Sequence, residues 1–196
     1  MFQLMVLSKK MNTDIKNIIN DNINTTNDLL NEVHCIEDIC SLALNTIKKG
    51  NTILLCGNGG SASDSIHISS EIVGKFEKER NALPSISLAS NPSNLTAIAN
   101  DFGFDHIFSR QIEAIGKKGD LLIAISTSGN SKNIINAIKS AQSKGLEIII
   151  FTGRNGGGTN AFDCLTLKVP SDNVARIQEN HILVGHIISK YIEENL

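Results

Sequence analysis

Thr52-Ile53-Leu54-Leu55-Cys56 runs directly into Gly57-Asn58-Gly59-Gly60-Ser61-Ala62-Ser63, and Leu121-Leu122-Ile123-Ala124-Ile125 runs directly into Ser126-Thr127-Ser128-Gly129-Asn130-Ser131. Each stretch reads as a strand, a tight turn and a helix N-terminus. Glycine lets the backbone approach a ligand closely, the first helical N–H groups lack partners, and the helix dipole favours negative charge there. Such a pair suits a phosphate. The second loop adds four hydroxyls (Ser126, Thr127, Ser128, Ser131) and no lysine, so an anion there is held by hydrogen bonds and dipole. That fits a phosphomonoester better than a nucleoside triphosphate.

Gly57-Asn58-Gly59-Gly60-Ser61-Ala62 formally satisfies the dinucleotide fingerprint G-x-G-x-x-A. The fingerprint also wants an acidic residue at the end of the next strand, and Ser85-Ile86-Ser87-Leu88-Ala89 runs into Ser90-Asn91-Pro92 without one. The Gly-Lys-Ser/Thr of a Walker loop is absent too. Plain structural turns would serve any α/β protein, but two serine-rich copies argue for a shared ligand.

Outward from the loops, strand-like and helix-like segments alternate: strand 52–56, helix about 60–76, strand 85–89, helices about 92–100 and 104–116, strand 121–125, helix about 131–144, strands 146–151 and 164–169, helix about 174–194. This predicts an α/β fold, a three-layer αβα sandwich around a central parallel sheet, with ligands at the carboxyl ends of the strands. Residues 12–49 lack Gly and Pro until Gly50 and space their apolar residues by three and four, which predicts one or two N-terminal helices with a break at Asn24-Thr25-Thr26-Asn27, good capping residues. The expected division is a helical extension at 1–49 and a ligand-binding domain at 50–196. Gly153-Arg154-Asn155-Gly156-Gly157-Gly158-Thr159 reads equally as a ligand-covering lid or a linker. Lys75-Phe76-Glu77-Lys78-Glu79-Arg80 reads as a solvated helix end.

With 196 residues, 41% of them hydrophobic, the chain has enough apolar material for a full core. A net charge of −2 without a basic run argues against a nucleic-acid partner. No apolar stretch approaches the ~20 residues of a membrane span. The apolar start places its lysines after the apolar segment, opposite to a signal peptide. Four cysteines without C-x-x-C spacing suggest reduced thiols and a cytoplasmic protein.

His67 and Glu71 are four residues apart, about 40° around a helix at ~100° per residue, and so share a face. That spacing can supply two metal ligands, or a base with its orienting partner; an ordinary solvent-facing pair has the same spacing. The last helix carries Arg176, Gln178, Glu179, His181 and His186 among apolar residues. Gln178 and His186 are separated by roughly 12 Å of helix rise. Helix geometry therefore ranks His181 and His186 about equally.

Taken together, Gly57-Asn58-Gly59-Gly60-Ser61-Ala62, His67-x-x-x-Glu71, Asn100-Asp101-Phe102-Gly103, Ser126-Thr127-Ser128-Gly129-Asn130-Ser131 and Arg176-Ile177-Gln178-Glu179-x-His181 resemble the phosphoheptose isomerases of the sugar isomerase (SIS) superfamily, from about residue 40 to the C-terminus. The resemblance implies a flavodoxin-like sheet and conversion of sedoheptulose 7-phosphate into D-glycero-D-manno-heptose 7-phosphate for bacterial surface heptose. It also implies a homotetramer with sites at subunit interfaces. By the same resemblance one zinc ion per site is bound by His67, Glu71, Gln178 and His186, and the choice of His186 over His181 comes from there. Ser61, Ser126, Thr127, Ser128 and Ser131 would hold the phosphate, with Asn58, Gly59, Gly60, Asn100 and Asp101 facing the sugar. Moving a proton between C1 and C2 needs a base and a stabilised oxyanion. Glu71 and His186 are the candidate proton-transfer groups; if Glu71 binds metal tightly, His186 becomes the better base. The competing expectations are a non-catalytic SIS phosphosugar-binding or scaffold protein, whose kind lacks this Glu and last His, and an isomerase of another sugar phosphate.

Overall fold

Strands covered on both faces can bury every side chain, which is why continuous apolar runs become central parallel strands. In the computed structural model, which describes residues 2–196 and side chains from Met11 onward, the strands are β1 (Ile53–Gly57), β2 (Ser85–Ser87), β3 (Leu121–Ile125), β4 (Glu147–Gly153) and β5 (Leu165–Val169). All neighbours pair in parallel, in the order β2-β1-β3-β4-β5, the flavodoxin-like arrangement. Every residue of β1 and β3 is buried. Their register pairs Ile53 with Leu121 and Gly57 with Ile125, so the two glycine- and hydroxyl-rich loops leave adjacent strands at one edge.

Alternation along β1 splits the core into two layers. Ile53 and Leu55 join Ile39 and Ala43 of α2 (Val33–Lys48), Ile68 and Ile72 of α3 (Gly60–Val73), and Ile177 and Val184 of α7 (Val174–Asn195). Leu54 and Cys56 face the other way, toward Ile112 of α5 (Ser109–Ile115) and Ile134 and Ile138 of α6 (Lys132–Lys144), with α4 (Pro92–Phe102) packed beside them.

Several boundaries differ from expectation for local reasons. The first helix, α1 (Phe2–Asp28), passes straight through Asn24–Asn27 and yields to a 3-10 turn only at Leu29–Glu32. Thr25 does not cap: its hydroxyl donates to the carbonyl of Asp21 (2.9 Å), one turn back in the same helix. β2 stops at Ser87, where Ser90 N–H turns back to the Ser87 carbonyl (3.2 Å). α5 begins only at Ser109, after a separate 3-10 turn at Phe104–His106. The run 75–80 is not a helix end, because α3 closes at Val73 with Gly74 N–H on the Ser70 carbonyl (2.8 Å). Met1 and the side chains of residues 2–10, on which the reading of the apolar start rests, lie outside the described residues.

α7 separates its two histidines cleanly. His181 is fully buried against Phe151, with Nε2 placed 3.2 Å from the Thr152 carbonyl, whereas His186 faces α3. Burial pushes the His181 imidazole down to about 4, against the smaller raising effect of its bond to Thr152. The unfolded chain therefore takes up a proton near pH 6.5 that the fold refuses until about pH 4, so this group's contribution to stability is complete above pH 6.5 and is lost as pH falls through that window. The predicted loss is up to about 3 kcal/mol at pH 4. Urea titrations at stepped pH check this: relative to wild type, His181→Gln shows a flatter dependence between pH 6.5 and 4.

Candidate active site

The second loop leads into a helix start that no side chain caps. Ser131 caps α6 without a side-chain hydrogen bond, which leaves the first amides of that helix for a ligand. Ser126, Thr127, Ser128 and Ser131 surround that helix start; the Ser126 and Ser131 hydroxyls are 3.4 Å apart and Ser128 accepts from Asn130 N–H (3.2 Å). Gly129 is at φ +65°, and a Cβ there would strike the Gly156 carbonyl. The segment 153–159 is thus neither a detached lid nor a linker but the wall behind this loop. Gly153 N–H donates to the Thr127 carbonyl (3.0 Å), Gly158 N–H to Asn130 Oδ1 (2.8 Å) and Thr159 N–H to the Gly129 carbonyl (3.1 Å). Between wall and loop lies a cavity of about 290 Å³ whose lining includes Thr127, Ser128, Arg154, Asn155 and Asp172.

The first loop differs. Three of its amides are occupied: Ser61 N–H bonds the Asn58 carbonyl (3.0 Å), and the Ala62 and Ser63 N–H groups bond the Gly59 carbonyl (3.1 and 3.2 Å). Ser61 is buried, whereas Gly59 (φ +56°) and Gly60 are exposed. Asn58 exchanges two amide hydrogen bonds with Asn133 of α6 (2.9 and 2.8 Å), which ties the first loop to the helix that follows the second. Asn133 was not among the expected site residues, although a fully buried amide among Ile134, Ala137 and Ile138 is a signal that a partner must exist.

Gln178 lies over the start of α3, so close that a Cβ on Gly60 would meet its Nε2 at 2.6 Å. Farther along, His67 Nε2 is 3.1 Å from Glu71 Oε1 and 3.5 Å from His186 Nε2. Gly185 makes this approach possible, since a Cβ there would meet Ile68 Cδ1 at 2.5 Å. The order of contacts shows α3 and α7 running parallel, with Gln178 beside Gly60 and His186 beside His67, about two turns apart along the helices. Among the described residues no group of three or more His, Cys, Asp or Glu side chains is placed to hold a metal ion. The His67-centred pairs nevertheless fit zinc: two imidazoles and a carboxylate are suitable donors, and tetrahedral binding at about 2.0–2.1 Å sets donors roughly 3.3 Å apart. One turn before His67, Asp64 has a buried oxygen without a partner, and burial pushes its carboxyl up to about 6, partly offset by His67.

Asn100 and Asp101 sit elsewhere. They are exposed at the end of α4, in the opposite layer, with Asn100 Nδ2 donating to Asp101 Oδ1 (2.7 Å). Arg176 is buried and serves the fold, donating to the Ile18 carbonyl of α1 (2.6 Å) and to Glu179 (2.5 Å).

Residues 20–153 match the SIS domain family. The phosphoheptose isomerase of Campylobacter concisus is 45% identical over 184 residues, 94% of this chain and 97% of that relative. The phosphoheptose isomerase of Aliarcobacter butzleri is 51% identical over 161 residues, 82% of this chain and 85% of that one. Among solved structures, the phosphoheptose isomerase from Neisseria gonorrhoeae superposes with a TM-score of 0.89 at 38% identity, covering 94% of this chain and 99% of its own. With its sheet order, its two loops and near-complete mutual coverage, the chain belongs to the phosphoheptose isomerase family of SIS-domain proteins.

Proposed function

We propose that the chain is an aldose–ketose isomerase that converts sedoheptulose 7-phosphate into D-glycero-D-manno-heptose 7-phosphate through an enediol, toward bacterial surface heptose. The observation that carries this is the meeting of His67, Glu71 and His186 in a chain matched almost end to end by phosphoheptose isomerases.

The open amides of α6 and the hydroxyls of Ser126, Thr127, Ser128 and Ser131 hold the phosphate. Glu71, its side chain 23% exposed, takes the proton from C1 of the ketose and returns it to C2. His186 gives a proton to the C2 oxygen as the enediol forms and takes one from the C1 oxygen as it collapses to the aldehyde. Such positioned proton transfer is worth about 10²–10⁴ in rate. His67 orients Glu71 through Nε2 (3.1 Å) and packs edge-on against the His186 ring.

Zinc is part of this proposal: His67, Glu71 and His186 are the donors that would hold it, with Gln178 joining where the site is shared between copies, and a Glu71 bound tightly to the metal would leave His186 the better base. When bound it polarises the substrate oxygens. Sharing is supported by the dispersal of the sugar-facing candidates, with Asn100 and Asp101 in the layer opposite to Glu71. Met11, Ile15, Ile18, Ile19 and Ile23 are exposed along α1, and an apolar groove of about 400 Å³ runs between the 3-10 turn, α2 and α7 past Leu30, Val33, Ile187 and Tyr191. We take these as the packing surfaces of a homotetramer, as expected of oligomer faces. The cysteines are free, and burial pushes Cys56 up to about 12 and Cys40 up to about 11; these unreactive thiols suit the cytoplasm. No described helix is long and apolar enough to cross a membrane.

Three outcomes are expected. Purified protein converts sedoheptulose 7-phosphate to the aldose by NMR, and Glu71→Gln lowers kcat by at least about a hundredfold; inactivity of the wild type here and on ribulose and fructose phosphates would favour a binding or scaffold protein. Elemental analysis finds about one zinc per chain, reduced severalfold in His67→Ala. Deletion of residues 1–28 disperses the tetramer in light scattering, and a truncated protein that stays tetrameric refutes the packing role of α1.

A further inference from the structure

Beyond the end of α3 the chain is stapled to the last turns of α7 by a single carboxylate. Glu193 Oε1 accepts the N–H groups of Glu77 (2.8 Å) and Lys78 (2.6 Å), and its Oε2 accepts that of Phe76 (2.9 Å). Its side chain is only 2% exposed and lies 3.4 Å from Arg80 Nε, an ion pair without hydrogen-bond geometry. Arg80 completes the staple from the other side, donating through Nη2 to the carbonyl of Glu71 (2.8 Å) and through Nη1 to those of Gly74 (3.1 Å) and Asn81 (3.0 Å). Burial raises the pKa of Glu193, but the three N–H groups and Arg80 outweigh it and hold the carboxyl below the usual carboxylate range. Consecutive backbone N–H groups converging on one carboxylate make a strong, charge-assisted anchor.

The anchored loop presents one large side chain. The Phe76 ring lies 5.6 Å from the His186 ring, tilted by 34°, while His67 meets the same imidazole edge-on at 5.0 Å. His186 is partly exposed on α7, and an imidazole so placed needs its ring plane fixed from outside if Nε2 is to point at His67.

We propose that Phe76 and Glu193 are positioning residues: Glu193 fixes the 76–78 backbone, and through it the Phe76 ring holds the His186 imidazole with Nε2 toward His67. Their effect on turnover rests on the isomerase function proposed above; their effect on the His186 ring does not.

The test uses the full chain carrying Phe76→Leu, which keeps an apolar side chain but loses the ring, Phe76→Tyr, which keeps the ring, Glu193→Gln, which sets an amide N–H₂ against a backbone donor, and the Leu/Gln double variant. With sedoheptulose 7-phosphate, Phe76→Leu and Glu193→Gln lower kcat by about tenfold to a hundredfold, the range expected for a small misplacement of a reacting group, with KM within about twofold. Phe76→Tyr retains wild-type kcat, and the double variant is no slower than the slower single one. Independently of activity, the His186 imidazole resonance, assigned by its loss in His186→Gln, shifts in Phe76→Leu and Glu193→Gln and stays in place in Phe76→Tyr. Additive defects overturn the route from Glu193 through Phe76. An unmoved His186 resonance in Phe76→Leu, or kcat losses that follow the thermal midpoint instead, reduces the staple to a stability device and overturns the proposal. If the wild type does not turn over the sugar phosphate, the isomerase reading fails while the resonance still decides the positioning.

Discussion

The parallel pairing of β1 with β3 is the constraint on which the rest depends. Both strands are buried along their whole length, so neither can shift register without moving apolar side chains from one core layer to the other. The pairing of Gly57 with Ile125 therefore fixes where the two loops begin, side by side at the carboxyl edge. The reciprocal Asn58–Asn133 bonds then lock the loops to each other. The loops look alike in sequence but divide the work. The first ties the Ser61, Ala62 and Ser63 amides to its own carbonyls and leaves Gly59 and Gly60 exposed, while the second has no side-chain cap on its helix start and is backed by the wall at 153–159.

From that edge α3 and α7 run away from the sheet ends in parallel, and two glycines set how near they come. Gly60 admits the Gln178 amide and Gly185 admits Ile68. Each is next to a residue that the sequence marks as a site candidate: Gly60 to Ser61, Gly185 to His186, and Ile68 in turn to His67. A side chain at position 185 would hold the helices apart at the level where two imidazole nitrogens now lie 3.5 Å apart. Helix packing density and site geometry are here the same quantity.

Much of this was legible in the residues. The strands announce themselves as unbroken apolar runs because both faces are covered, and β3 falls where its sequence puts it, at Leu121–Ile125. His67 and Glu71 are linked by spacing alone. What stayed hidden depends on tertiary contact. Thr25 looks like a cap until its hydroxyl turns back on Asp21. The run 75–80 looks solvated because its partner, Glu193, is more than a hundred residues away. His181 and His186 cannot be ranked from periodicity, since the choice depends on which face of α7 meets Phe151 and which meets α3. The dispersal of Asn100 and Asp101 from Glu71 depends on strand order, which alternation alone does not give.

The two acidic partnerships on the α3–α7 pair differ in how far each is open to water. Glu193 and Arg80 are nearly sealed, their side chains 2% and 11% exposed, and every oxygen of Glu193 is committed to the chain. His67 and Glu71 are 48% and 23% exposed, and a pair so open to water adds little to stability. Glu71 nonetheless has its own backbone carbonyl clamped by Arg80, so the helix that carries the open carboxylate is held by the closed one. A carboxylate proposed as a base must keep unused lone pairs, whereas an anchor must not. Placing both on one helix pair, a few turns apart, keeps Glu71 available to a ligand without leaving its backbone free to move.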